Sequence, residues 1–134
     1  MKIASVGVFV FACVTGALSV LTAAYVAHQP GLEEAAVRSL QSALQMQQFH
    51  ALALLLTAWM ALQIGWNLGR GLAAAGFVAG IFCFSFNIEI RHLAGVELLR
   101  PLTPYGGMAF VLGWLALGVS AFQRPSLPGQ QPPV

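Results

Sequence analysis

A chain of 134 residues suits a single domain, and with 58% hydrophobic residues against 7% charged ones it lacks the charged surface that keeps a water-soluble fold dispersed. Six basic and four acidic side chains leave a formal charge of +2, too small and too scattered for a phosphate-binding patch, so nucleic acid is excluded as a partner. A lipid bilayer must cover the rest, and the expected fold is all-α: an integral membrane four-helix bundle, residues 1–122, followed by a tail.

From Ile3 to Ala27 no residue is charged, and about 25 residues of helix at 1.5 Å each exceed a hydrocarbon core of about 30 Å. Lys2 ahead of this run, with Ala24-Tyr25-Val26-Ala27 in the place of a cleavage site, also suits a secretory signal. The apolar region of a signal covers only roughly 7 to 15 residues, so 3–27 is read as a retained first span. Gln29-Pro30-Gly31 ends it, because proline cannot continue a helix. Glu33 and Glu34 then favour the positive end of a new helix dipole. Leu32, Ala36, Val37, Leu40 and Leu44 recur at threes and fours opposite Glu34, Arg38, Gln41 and Gln45, the pattern of a surface helix over 32–48.

Neither glycine nor proline interrupts 32–64, so this helix can run straight into a second span over 49–66, with Trp59 inside it and Trp66 at headgroup level. Asn67-Leu68-Gly69-Arg70-Gly71 reads as a short turn that makes spans two and three antiparallel neighbours. Span three covers 72–88, and its Gly76 and Gly80 form a GxxxG pair that lets another backbone approach closely. Glu89 to Arg100 reads as a polar loop. Thr103-Pro104 supplies an N-cap residue and a proline for the first turn of span four, 104–122, where Ala109 and Gly113 form a second small pair. The proline-rich tail, 123–134, is expected to be disordered.

Cys13 and Cys83 sit within apolar stretches, where a thiol behaves as a small apolar side chain; a disulfide requires their helices to touch. Four spans place both termini on one side together with Lys2, Arg70 and Arg124, against Arg38, Arg91 and Arg100 on the other. The basic residues therefore tie. All four acids fall on the second side, which favours cytoplasmic termini.

The order of Ala-His closing span one, Gln-x-x-His opening span two, and Thr-Pro-x-Gly-Gly ahead of Gly-Trp resembles the YgdD-type family of small bacterial inner-membrane proteins, to which a eukaryotic small transmembrane protein is related. The family's Gly-Ala-Phe-Gly-Ala-His would fall on Ala23 to His28, keeping Ala27 and His28 and losing both glycines. Its Tyr-Gln-x-Tyr-His-Ala-Leu-Ala would fall on Met46 to Ala53, without the first tyrosine. Thr103-Pro104-Tyr105-Gly106-Gly107 and Gly113-Trp114 match closely. In span three a Ser-Gly-Ser-Leu-Tyr pattern would correspond to Cys83 to Asn87, where its tyrosine has become Asn87. The resemblance implies a four-helix fold of the bacterial inner membrane, with no biochemical activity attached to it.

With this topology His28, closing span one, and His50, opening span two, fall toward one membrane face with Gln47, Gln48, Ser85, Asn87 and His92. Polar side chains at membrane depth usually face the bundle interior and seek partners. His28, Gln47, His50, Ser85 and Asn87 are thus the candidate ligand-binding set. On one reading the histidines hydrogen-bond to nearby amides and pin helix ends together. On a second they line a pocket for a quinone or a lipid headgroup. On a third His28 and His50 hold haem or a metal, with only His92 or Glu89 to complete the ligand set.

No HExxH, CxxC or CxxCH motif is present, and Ser85 has no orienting carboxylate within the membrane, so no catalytic residue and no definite cofactor is assigned. The expected function is that of a non-catalytic membrane protein, an accessory subunit of a larger assembly or a homo-oligomer, with Gly76, Gly80, Ala109 and Gly113 carrying helix contacts. The alternative is a ligand-binding protein acting through His28 and His50.

Overall fold

The computed structural model describes residues 2–97 and 100–123, and these are helical apart from short connections. The helices are α1 (Lys2–Ala27), α2 (Glu34–Ile64), α3 (Leu68–Gly80), α4 (Asn87–Ala94) and α5 (Thr103–Ser120). A π-helical stretch, Ile81–Phe86, joins α3 to α4 without a break, and a 3-10 turn, Arg100–Leu102, leads into α5. Three helical runs are long and apolar enough to cross a membrane: Lys2–Ala27, Leu68–Ala94 and Arg100–Ser120.

The side-chain distribution is the reverse of a water-soluble bundle. α1 buries Ser5, Ala12, Thr15, Ser19 and Val26, while Val6, Val10, Val14, Leu18 and Leu21 face outward. α5 buries Gly106, Phe110, Gly113 and Ser120 and turns Met108, Val111, Leu112, Leu115 and Val119 out. Small and hydroxylic side chains inside with large aliphatic ones outside is the arrangement hydrocarbon selects. Lipid solvates leucine as well as a protein core does, so helices associate through close fit and hydrogen bonds. Three of the buried hydroxyls bond to carbonyls of their own helix, Ser19 to Gly16 at 2.7 Å, Thr57 to Ala53 at 2.8 Å and Ser120 to Leu117 at 2.6 Å.

Two antiparallel pairs build the bundle: α1 packs along α2, and the α3–α4 rod packs along α5. Glycine sets the second seam. A Cβ on Gly76 would lie 2.8 Å from the Ala109 carbonyl oxygen and 2.9 Å from the Gly113 Cα, and one on Gly106 would lie 2.5 Å from the Phe84 nitrogen. Gly80 is covered by the Phe110 ring, and Gly69 meets Ser120 and the Ala116 carbonyl. The pairs meet through a core of Ala12, Ala53, Leu54, Ala73, Ala74, Phe77, Ile81 and Phe110.

α2 runs unbroken for 31 residues, about 46 Å at 1.5 Å per residue, against about 30 Å of hydrocarbon. Its first half carries four of its five glutamines, Gln41, Gln45, Gln47 and Gln48, and its second half is richer in aliphatic residues. The turn after it is shorter than the glycines suggest. Gly65 ends α2 with φ at 79°, and Asn67 caps α3, its Oδ1 accepting from the Arg70 N–H at 2.8 Å. Gly69, Arg70 and Gly71 are therefore helical, because the cap lies upstream of them. Trp66, placed within span two from sequence, lies in this turn and donates to Ser5 Oγ at 2.9 Å.

Helix also continues through Glu89 to Ala94, where a loop is expected from composition; Gly95, at φ 69°, ends it in the left-handed region. Thr103 does not cap α5. Its hydroxyl instead accepts from Asn87 Nδ2 at 3.1 Å. Both cysteines are free, and Cys13 is exposed on the outer surface of α1. Gln123 accepts the Gly69 N–H at 2.8 Å, and the rest of the expected tail lies outside the described residues.

Candidate functional site

Gln47 and His50 lie one turn apart on the inner face of α2, and both are buried. Gln47 Nε2 donates to the Thr15 carbonyl at 3.1 Å, which ties α2 to α1. Its Oε1 is buried without a partner among the described residues. Because one amide end is used and the other is not, Gln47→Leu is expected to change stability by less than about 1 kcal/mol, as the lost bond is offset by removal of an orphaned acceptor. A melting curve in detergent checks this.

His50 is held by stacking. Its ring lies on Phe110 at a centroid distance of 3.6 Å and an interplanar angle of 10°, with Phe77 at 5.7 Å and Phe49 edge-on at 5.3 Å. Trp114 sits beyond, against Phe49 and Phe77. Nδ1 is 2.7 Å from the Met46 carbonyl oxygen, which can only accept, so Nδ1 carries the proton and Nε2 is the acceptor nitrogen. The aromatic enclosure fits a side chain serving as a flat, polar-edged packing element.

Ser85 and Asn87 follow from the π-helical stretch. A π turn widens the helix by one residue and re-aims the side chains beyond it, and here it brings both Ser85 and Asn87 inside. Asn87 Nδ2 donates to the Cys83 carbonyl and to the Thr103 hydroxyl, each at 3.1 Å, joining the π turn to the start of α5. Ser85 Oγ is buried with no partner among the described residues.

The two histidines of the proposed pair stand apart. The bond from Gln47 to Thr15 sets the register of α1 against α2, and His28 lies thirteen residues beyond Thr15, about 20 Å along the helix. His50 lies past Gln47 in the opposite direction. His28 is exposed, with Nδ1 on the Ala24 carbonyl at 2.8 Å. His92 is half-buried and accepts from Arg91 at 3.0 Å, and Gln48 is exposed. No group of three or more His, Cys, Asp or Glu suited to a metal ion occurs among the described residues.

Two buried charged residues escape a reading by composition. Glu89, assigned to a loop, is buried on α4, and Arg70, assigned to a turn, is 2% exposed on α3. The available signal for Arg70 is its spacing of three, four and seven from Ala73, Ala74 and Phe77, all on one face. Away from these groups, an apolar groove of about 270 Å³ opens between α1 and α2, lined by Ala12, Cys13, Gly16, Ser19 and Val20 on one side and Gln48, Ala51, Leu52 and Leu55 on the other.

An all-helical chain that turns its aliphatic residues outward and its hydroxyls and amides inward is a multi-pass membrane protein. It belongs to the DUF423 family, described as proteins of unknown function, whose model matches residues 22–107. The chain is 30% identical over 115 residues to a UPF0382 membrane protein of Haemophilus influenzae, covering 84% of this chain and 91% of that one. It is 33% identical over 79 residues to the UPF0382 membrane protein YwdK of Bacillus subtilis, covering 58% and 63%. With the UPF0382 inner membrane protein YgdD of Escherichia coli it shares 29% identity over 116 residues, 85% of this chain and 88% of the relative. No solved structure matches. The family resembled in the histidine and Thr-Pro motifs is thus the one to which the chain belongs, and the chain is an inner-membrane protein.

Proposed function

We propose that this protein is a non-catalytic accessory subunit that associates with another membrane component through the face shared by α1 and α2, with both termini cytoplasmic. The observation that carries the reading is the groove between these helices. Small residues form most of its α1 wall, beside Val20, a Cβ on Gly16 would meet nothing within 4 Å, and the polar Gln48 lines the α2 side. A small-residue groove admits a helix at close range, and an amide facing lipid gains from a hydrogen-bonding partner. The enclosed position of His50 supports the same reading, since a ring stacked on Phe110 and bonded to its own helix is accounted for as structure.

Filling the groove tests this. Gly16→Leu is expected to leave the melting temperature of the isolated protein within a few degrees, since no atom lies where the side chain would begin, and to dissociate any assembly recovered in mild detergent. If the parent protein runs as a monomer in native nanodiscs and Gly16→Leu behaves identically, the subunit reading fails.

A further inference from the structure

Arg70 is the largest fully buried side chain among the described residues, and its Nε and Nη2 have no hydrogen-bond partner there. A guanidinium is charged at every physiological pH and cannot shed its charge as a lysine can. Enclosed without an acceptor it is strongly unfavourable, and an anion that accepts from it relieves both the charge and the unpaired donors.

The chain's carboxylate side chains do not supply one. It has four acidic residues, and all stand toward the other end of the bundle. Glu33 and Glu34 are at the start of α2, and Glu34 pairs with Arg38 at 2.8 Å. Glu97 follows α4 and lies 4.0 Å from Arg100. Glu89 is nineteen residues further along the same rod as Arg70, between about 25 and 30 Å away.

Arg70 itself lies in the first turn of α3, at the membrane face where α1 and α3 begin and α2 and α5 end. One turn of helix is about 5.4 Å, so a residue in the first turn of a span lies within reach of a headgroup that inserts between the helix ends. The abundant anion at that depth is the phosphate of a membrane lipid, whose two non-bridging oxygens can accept from both arms of the planar guanidinium fork. The surrounding groups fit a headgroup: exposed Lys2, the Trp66 indole, and the amides of Asn67 and Gln123 all gather at this face, with no carboxylate among the described residues there.

We infer that Arg70 is a phosphate-ester site for an anionic membrane lipid, formed at the α2–α3 turn against the ends of α1 and α5. This site is separate from the α1–α2 groove and does not depend on the subunit reading.

The test is a set of melting curves in mild detergent with added phosphatidylglycerol, phosphatidylcholine or inorganic phosphate, together with native mass spectrometry of the parent protein. Phosphatidylglycerol is expected to raise the melting temperature of the parent by about 5 °C or more, with phosphatidylcholine giving less and inorganic phosphate nothing. Arg70→Met, which keeps length and removes charge, is expected to lose that rise, whereas Arg38→Gln, on an exposed cation at the opposite end of the bundle, keeps it. A parent that retains no phospholipid and shows no rise overturns the site. So does an Arg70→Met variant with an undiminished rise. A rise given equally by inorganic phosphate overturns the lipid assignment. Should Arg70→Met not fold, Arg70→Lys serves in its place: it retains charge without the fork, and is expected to bind phosphatidylglycerol at least threefold more weakly, equal affinity counting against the inference.

Discussion

Gly76→Leu is expected to prevent accumulation of folded protein, while Gly71→Leu in the same helix is expected to be tolerated. The two glycines differ in what stands opposite. At Gly76 a Cβ would come within 2.8 Å of the Ala109 carbonyl oxygen and 2.9 Å of the Gly113 Cα, and at Gly71 it would meet nothing within 4 Å. Backbone atoms cannot swing aside as a side chain end can, so a substituent at Gly76 must push α5 away from α3 along their whole seam. Even Gly76→Ala should cost on the order of 2 to 3 kcal/mol, the upper part of the overpacking range. Leucine adds three more carbons to the same collision. Expression level and the melting temperature in detergent, measured side by side for the two leucine variants, check the prediction. Equal behaviour would show that α3 and α5 are further apart than described.

His50→Ala is expected to destabilise the protein by about 3 to 4 kcal/mol, comparable with truncating a buried aromatic residue. The imidazole fills the space between Phe110, Phe77 and Phe49, and its removal strips the Phe110 ring of a stacked neighbour at 3.6 Å. His50→Phe distinguishes packing from chemistry. It restores a flat ring while removing both nitrogens, and the Met46 carbonyl freed by it still belongs to the helical ladder of α2. If His50 serves as packing, His50→Phe should recover most of the stability lost by alanine, and any assembly with a partner should persist. Recovery of stability with loss of the assembly would assign the imidazole nitrogens a binding role.

These two predictions depend on contacts that differ in how visible they are along the chain. The pairs Gly76/Gly80 and Ala109/Gly113 stand out by spacing, and in the structure these residues line the α3–α5 seam. Gly69 and Gly106 share that seam, yet Gly69 reads as part of a turn and Gly106 as part of a Thr-Pro-x-Gly-Gly motif. Spacing marks pairs on one helix and carries no information about which residue of another helix lies opposite. His50 is conspicuous as an ionisable residue in an apolar stretch. Its aromatic enclosure is assembled from α2, α3 and α5, which no local pattern reports.

His28 shows the converse. Equal proximity to a helix end suggested that it shares a site with His50. α2 is longer than the membrane is thick, however, so the start of its apolar stretch lies far below the end of α1. The Gln47 to Thr15 bond fixes that offset. Ser85 and Asn87 owe their burial to the π-helical stretch, which shifts the helical phase in a segment whose alternating phenylalanines, Phe82, Phe84 and Phe86, have no clear helical face.

Composition alone determined that this chain lives in a bilayer and is built of helices, because so few charges cannot solvate a domain and only helices satisfy backbone hydrogen bonds within a single segment in hydrocarbon. Which way each helix faces was decided only by tertiary packing. In a span that is apolar on every side, hydrophobicity does not distinguish lipid from protein, so the inner face is chosen by close fit and hydrogen bonding between helices distant in sequence. The burial of Arg70, the enclosure of His50 and the separation of His28 from it all follow from that choice.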